Sequence, residues 1–264
     1  MKNTFRFLFY LLFLISCTKE SATSLIDAVA PPNSTITITP SVSLVPSVNK
    51  GYIINHTYYS LSYSEANRLA EWVFYKLTPE MINGTQSRTD DFRIDPLVKL
   101  NPVKSTDYTG SGYDRGHLCP AADMTLNLTS MSETFYMSNM TPQNPSFNRG
   151  IWETLESKVR TWAIEKNGVY VFTGPILSNN CGTINNGTIP VPCSFYKIVY
   201  KDTGTEKIAI AFILNNQGSA ASLQTFVCNI DQIESLTGIN FFSDLPDDIE
   251  NKLESTVYTT NWSW

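Results

Sequence analysis

The sequence predicts an α+β fold. Three observations carry that expectation: four strand-like apolar runs, one long helical repeat among them, and two shorter helical repeats near the C-terminus. The strand-like runs are EWVFYKL (71–77), VYVFTGPI (169–176), FYKIVY (195–200) and KIAIAFIL (207–214). β-branched and aromatic residues dominate them, and Gly and Pro punctuate their ends. The helical repeat covers 149–166. There Ile151, Trp152, Leu155, Val159 and Trp162 recur at helical spacing, and Asn167-Gly168 supplies a stop. Shorter helices are expected around 231–237 and 245–254. The chain has 264 residues, 42% of them hydrophobic, which is enough apolar material for one sizeable core. Only 16% are charged, as in globular rather than disordered chains.

The chain divides into three parts. Residues 1–16 read as a lipoprotein signal peptide: Lys2 and Arg6 precede an apolar run from Phe7 to Ile15 that is too short to span a bilayer. Leu14-Ile15-Ser16-Cys17 resembles the bacterial lipobox, in which the cysteine becomes the lipidated first residue. An ordinary secretory signal is the alternative. Residues 17–48 are rich in Ser, Thr and Pro and read as a tether. Residues 49–264 form one domain, without internal repeats. The expected location is outside the cytoplasm, lipid-anchored to the membrane through Cys17 at the bacterial cell envelope. The outer membrane is the anchor site expected, and the CTKES start resembles a surface-export signal.

Charge limits the partners. The net charge is −5, and removing Lys2 and Arg6 leaves 17 basic against 24 acidic side chains. Any nucleic-acid contact must therefore come from a local basic cluster, because phosphate contacts need Lys and Arg. Beyond Cys17, four cysteines remain: Cys119, Cys181, Cys193 and Cys228. An even number in an exported chain suggests disulfides. Cys181 and Cys193 flank a Gly/Asn/Pro-rich loop and are expected to pair. Cys119 and Cys228 are then either paired or free. No Cys/His spacing suits zinc.

The candidate chemistry centres on GYDRGHLCPAADM (112–124). His117 is one of two histidines in the chain. A neutral imidazole can take a proton from water near neutral pH. Arg115 offers a planar positive fork suited to phosphate, Gly116 allows close backbone approach, and Asp114 can orient the loop or the imidazole. Asn139 and Asn148 add neutral oxygen ligands or hydrogen-bond donors, and Asn148 lies where the 149–166 helix should begin. On a regular helix Glu156 stands about 80° round from Asn148 and Arg160 about 40° further. On spacing alone that arc reads as a solvated face with an i,i+4 pair. His56 has no motif around it and is expected at the surface or in a loop.

The segments DRGH, TFYMSNMTPQ and FNRGIWETLE, in that order, resemble the DNA/RNA non-specific endonuclease family. These are the ββα-metal (His-Me finger) nucleases, which include secreted sugar-non-specific bacterial nucleases and mitochondrial endonuclease G. The resemblance continues through LSYSEANRLAEWVFYKL, RTDDFRIDP, DYTGSGYDRGH, YVFTGPI and FYKIVY. It implies a central, mostly antiparallel sheet flanked by helices. It also implies metal-dependent, sequence-non-specific hydrolysis of phosphodiester bonds, with DNA and RNA as substrates and 5′-phosphate products.

By position, His117 matches the family's general base and Asn148 its direct metal ligand. Glu156 matches the acid that holds the metal's water ligands. Asn139 matches the asparagine that positions the site or the histidine, and Arg115 the arginine beside the scissile phosphate. Arg160 matches an arginine one turn beyond the glutamate. The upstream arginine is matched by Arg88 in preference to Arg93, although the neighbouring Asp90 and Asp91 depart from a phosphate-binding pattern. The implied cofactor is Mg²⁺, with Mn²⁺ able to substitute. The oligomeric state stays open, a dimer among the options. Two readings stand against an active nuclease: an inactive nuclease-fold surface lipoprotein that acts in binding, and a thiol hydrolase using Cys119.

Overall fold

A computed structural model describes residues 44–48 and 50–264. The leader, Cys17 and the tether up to residue 43 lie outside the described residues. The strands are β1 (Tyr52–Asn55), β2 (Ser60–Ser64), β3 (Leu69–Leu77), β4 (Asp114–His117), β5 (Met140–Gln143) and β6 (Val169–Pro175). They continue with β7 (Asn180–Ile184), β8 (Ile189–Pro192), β9 (Ser194–Asp202), β10 (Lys207–Asn215) and β11 (Val227–Cys228). The helices are α1 (Pro79–Ile82), α2 (Leu128–Glu133), α3 (Glu153–Glu165), α4 (Ile230–Thr237) and α5 (Asp247–Ser255).

Seven strands form one antiparallel sheet in the order β1-β2-β3-β6-β9-β10-β11. Four adjacent inner strands, β3, β6, β9 and β10, are the apolar runs read from the sequence. They are buried along nearly their whole length, which requires cover on both faces. On one face Trp162 of α3 stacks on Phe212, and Trp152 packs on Phe195. On the other, Phe241 and Phe242 pack against Phe172, Tyr196 and Tyr200. Residues 195 and 196 thus point to opposite layers, as the two-residue period of a strand demands.

Three corrections to the sequence reading emerge here. The long helix is shorter than 149–166. Residues Phe147–Trp152 form a wider turn interrupted at Gly150 (φ −126°, ψ −113°), and regular α-helix begins at Glu153. Glycine is a weak helix former, so the apolar repeat runs through a point where the backbone does not. The stop at Asn167-Gly168 holds, both residues having positive φ.

Residues 44–48, expected to belong to the tether, are fastened to the domain. The Nε1 of Trp72 donates to the Ser47 carbonyl, and Ser47 exchanges two hydrogen bonds with Asn240. Those contacts bind residues 44–48 to the domain. His56 lies in the β1–β2 loop, but its ring is buried: its side chain is 3% exposed, 3.0 Å from Asp95 and stacked on Tyr136.

Cys181 and Cys193 are disulfide-bonded, as expected, across the β7–β8 ribbon. Cys119 and Cys228 are free.

Candidate active site

β4 and β5 form a two-stranded antiparallel unit, with Asp114 opposite Gln143 and His117 opposite Met140. The kinked turn and α3 follow directly, so the site is built on a β-β-α unit. Gly116 is dictated by packing. A Cβ there would stand 2.1 Å from Cδ of Gln143, whose side chain is itself fully buried.

Six of the seven predicted residues line one open cleft: Arg88, Arg115, His117, Asn148, Glu156 and Arg160, with Arg149 and Glu153 at its rim. Asn139 is not in it. That side chain is fully buried, its Oδ1 accepting from the Cys119 N–H at 2.9 Å. Its Nδ2 donates to the carbonyls of Cys119 and Thr134, at 2.9 and 2.8 Å. Asn139 therefore fastens the strand that leaves His117 and touches no reacting group.

His117 sits edge-on to Phe135, ring centres 5.0 Å apart, and tilted against Phe92. The same two rings carry the arginines: Arg115 lies 4.0 Å over Phe92 and Arg88 4.7 Å over Phe135. Two phenylalanines thus rack a histidine and two guanidinium groups side by side, the cations over ring faces where the negative quadrupole holds them. Sequence reasoning missed this rack, although both rings lie inside the motif segments DDFRID and TFYM. Arg115 also donates to Ser105, and Arg88 pairs with Asp90 at 2.7 Å. Arg93, the rejected alternative, is held by Asp91 and the Ser132 carbonyl.

The His117 Nε2 is buried without a hydrogen-bond partner, so Nδ1 is the ring nitrogen open to the cleft. Burial, with Arg88 and Arg115 adding to it, pushes the imidazole pKa down to about 3. The ring is neutral throughout the physiological range.

Asn148 is oriented by Asp114, whose Oδ2 accepts from its Nδ2 at 2.9 Å. Only the amide nitrogen can donate to a carboxylate, so this bond fixes the amide and leaves its oxygen free. Asp114 also takes two hydrogen bonds from Arg149, at 2.8 and 2.6 Å. Partial burial raises the Asp114 carboxyl, but these donors outweigh it and hold the pKa below the usual range. The Asp of DRGH thus serves Asn148 rather than the imidazole.

Glu156 accepts no side-chain hydrogen bond among the described residues. Beneath it lies a buried charged layer. Lys197 is 1% exposed, 4.5 Å over the Trp152 ring and 3.1 Å from Thr173 Oγ1. Asp123 accepts from Tyr75 at 2.8 Å and from Arg160 at 2.9 Å. Burial raises the pKa values of Glu156 and Asp123, while Lys197 and Arg160 oppose it. Arg160 is therefore committed to Asp123, although it borders the cleft. Cys119 is fully buried, and burial pushes its thiol well above the ordinary range. A reactive thiolate is excluded at that position.

A free amide oxygen beside an unbonded carboxylate is a hard-oxygen donor set. It suits a cation that keeps most of its waters, as Mg²⁺ does. The residues present fit the metal implied by the sequence.

Residues 43–248 match the sequence model of the DNA/RNA non-specific endonuclease family. The chain belongs to that family. It is 32% identical over 218 residues to a nuclease of Nostoc sp., covering 78% of each chain. It is 36% identical over 204 residues to nuclease C1 of Cunninghamella echinulata, covering 71% of this chain and 81% of that one. Human mitochondrial endonuclease G is 32% identical over 202 residues, 71% of this chain and 68% of the relative. Among solved structures, a chain of the EndoG/EndoGI complex superposes with a TM-score of 0.69 at 31% identity. That alignment covers 76% of this chain and 89% of the other. The fold of this family member is the ββα-metal nuclease fold within an α+β architecture, and its class is nuclease, a phosphodiester hydrolase.

Proposed function

We propose that the chain is a metal-dependent, sequence-non-specific endonuclease for DNA and RNA, with His117 as general base and Asn148 as metal ligand. The observation that carries this reading is the Asp114–Asn148 hydrogen bond, which turns an amide oxygen free in the cleft that holds His117.

A phosphodiester is an anion and repels an attacking hydroxide. Arg88 and Arg115 offset that charge and hold the phosphate next to the imidazole. His117, neutral before substrate arrives, accepts the proton of the attacking water at Nδ1. Arrival of the anion between the two arginines weakens the repulsion that lowers the imidazole pKa, so the ring becomes a stronger base when substrate is bound. Mg²⁺, with Mn²⁺ as substitute, would be held by Asn148 Oδ1, with Glu156 hydrogen-bonding its waters. When bound it would supply Lewis-acid polarisation of the phosphate. Arg160 positions this layer through Asp123, and Asn139 positions His117 through the backbone of Cys119. Contact with backbone phosphate rather than base edges accounts for the lack of sequence preference.

The proposed location is the bacterial cell envelope, exported and lipid-anchored through Cys17. The leader pattern supports it, as does the Cys181–Cys193 disulfide, which an oxidising compartment favours.

A plasmid-nicking assay on residues 22–264, with Mg²⁺ or a chelator and beside His117→Ala, tests the reading. Cleavage that needs metal and disappears in the variant is expected. A folded wild type that cuts neither DNA nor RNA with Mg²⁺, Mn²⁺ or Ca²⁺ would instead point to the inactive, binding lipoprotein.

A further inference from the structure

Away from the cleft, α4 and α5 pack against each other and turn acidic faces together. Asp231 and Glu234 are three apart on α4, and Glu250 and Glu254 are four apart on α5, so each pair shares one helix face. Carboxylate oxygens of Asp231, Glu234 and Glu254 all lie within 4.8 Å of one another. Glu254 is 5% exposed, and its Oε1 is enclosed without a hydrogen-bond partner. The Phe241 N–H donates to Glu234 Oε1 at 2.9 Å, which fixes that carboxylate in place. None of the seven ion pairs among the described residues includes any of these acids.

Such a cluster is unfavourable by itself. A buried carboxylate loses its hydration, and a like charge a few ångströms away adds repulsion. Burial first, and the neighbouring acids second, raise the Glu254 pKa, and burial likewise raises that of Glu234. Two partners can relieve the cluster: a proton, or a cation from solution. Three converging carboxylates form a hard-oxygen donor set. It suits Ca²⁺, which takes about six to eight oxygen ligands in flexible geometry, better than Mg²⁺, which keeps several waters and is bound through about one or two carboxylates. Asp231 is exposed and opens the pocket to solvent, so an ion has a way in.

We propose that Asp231, Glu234 and Glu254 form a second cation site, selective for a hard divalent ion of the calcium class, with Glu250 at its edge. It shares no residue with the cleft. An ion there ties α4 to α5 and holds the intervening Phe241 and Phe242 on the far face of the sheet. Its role is stability rather than chemistry.

The test follows the melting temperature of the chelator-treated full chain through a CaCl₂ titration. Asp231→Asn, Glu254→Gln and Asn148→Ala are run beside the wild type. A saturable rise is expected in wild type and in Asn148→Ala. In Asp231→Asn its midpoint should move at least about tenfold higher, because ligand charge sets affinity. In Glu254→Gln it should vanish. Asp231 lies on the surface, so its variant decides the matter if Glu254→Gln does not fold. No rise in wild type overturns the proposal. So does a rise that disappears in Asn148→Ala and persists in Asp231→Asn, which assigns the ion to the cleft.

Discussion

The cleft and the α4–α5 pocket are opposites in charge on one acidic chain. Four arginines, Arg88, Arg115, Arg149 and Arg160, border the cleft against Glu153 and Glu156. The pocket gathers carboxylates that have no ion-pair partner among the described residues. The net charge of −5 describes neither region. On the readings proposed above, each is one half of an ionic contact whose other half comes from solution, a phosphate in the first and a metal ion in the second. Charge therefore informs on partners only when read locally, after folding has sorted it.

The largest test of the contrast is His117→Ala. It should slow nicking by about 10²–10⁴-fold, the usual worth of a general base, while leaving the calcium-dependent rise in melting temperature intact. A loss of both would show that the two regions are one site. Arg115→Ala comes next. It should weaken substrate binding by roughly tenfold and flatten the salt dependence of cleavage, because one phosphate contact is gone. An unchanged salt slope would remove Arg115 from the phosphate path.

Smaller again is Glu254→Gln in chelator, expected to stabilise the fold by about 1 kcal/mol above about pH 8, where the buried carboxyl would otherwise ionise beside Glu234. A loss of stability in chelator, read by urea unfolding, would mean that the carboxylate has a partner in the protein.

The subtlest signal is the pH dependence of stability. The folded-state pKa of His117 is lowered from an ordinary 6.5 to about 3. Between those values the unfolded chain takes a proton that the folded chain refuses, so stability falls as pH falls. Glu234 and Glu254 are raised above an ordinary 4.5. Above that value the folded chain keeps protons that the unfolded chain releases, so stability falls as pH rises. The two regions tilt the curve in opposite directions. His117→Gln should remove the acid-side slope, and Glu254→Gln, or saturating calcium, should reduce the other. Identical curves for both variants would dissolve the comparison.

Much of this was legible because it is local. Strand runs such as KIAIAFIL carry their burial in their composition, and the spacing of Cys181 and Cys193 around a turn-rich loop foretold their bond. The cleft residues were legible through motif resemblance, which fixes position but not contact. What escaped depends on distant chain. Ser47 is fastened by Asn240, 193 residues away, so a Ser/Pro-rich stretch read as tether through to residue 48. His56 lies in a loop, one of the two places expected, but it meets Asp95, 39 residues on, and that contact buries its ring. Periodicity could not see the break at Gly150, because side-chain pattern continues where backbone geometry changes. The motif gives Asn139 a positioning role but not its partners, which are the backbone groups of Cys119 and Thr134.

The crowding over Gly116 bears on how such sequences decay. On the proposed function, the histidine of DRGH answers to chemistry, while the glycine answers to space. A descendant that lost His117 would keep its fold and persist as a silent homologue. One that gained a side chain at 116 would have to displace Gln143 from the interior, and selection would meet it first as a folding defect. Among related genes, the glycine is thus the letter that reports a surviving protein, and the histidine the letter that reports a surviving enzyme.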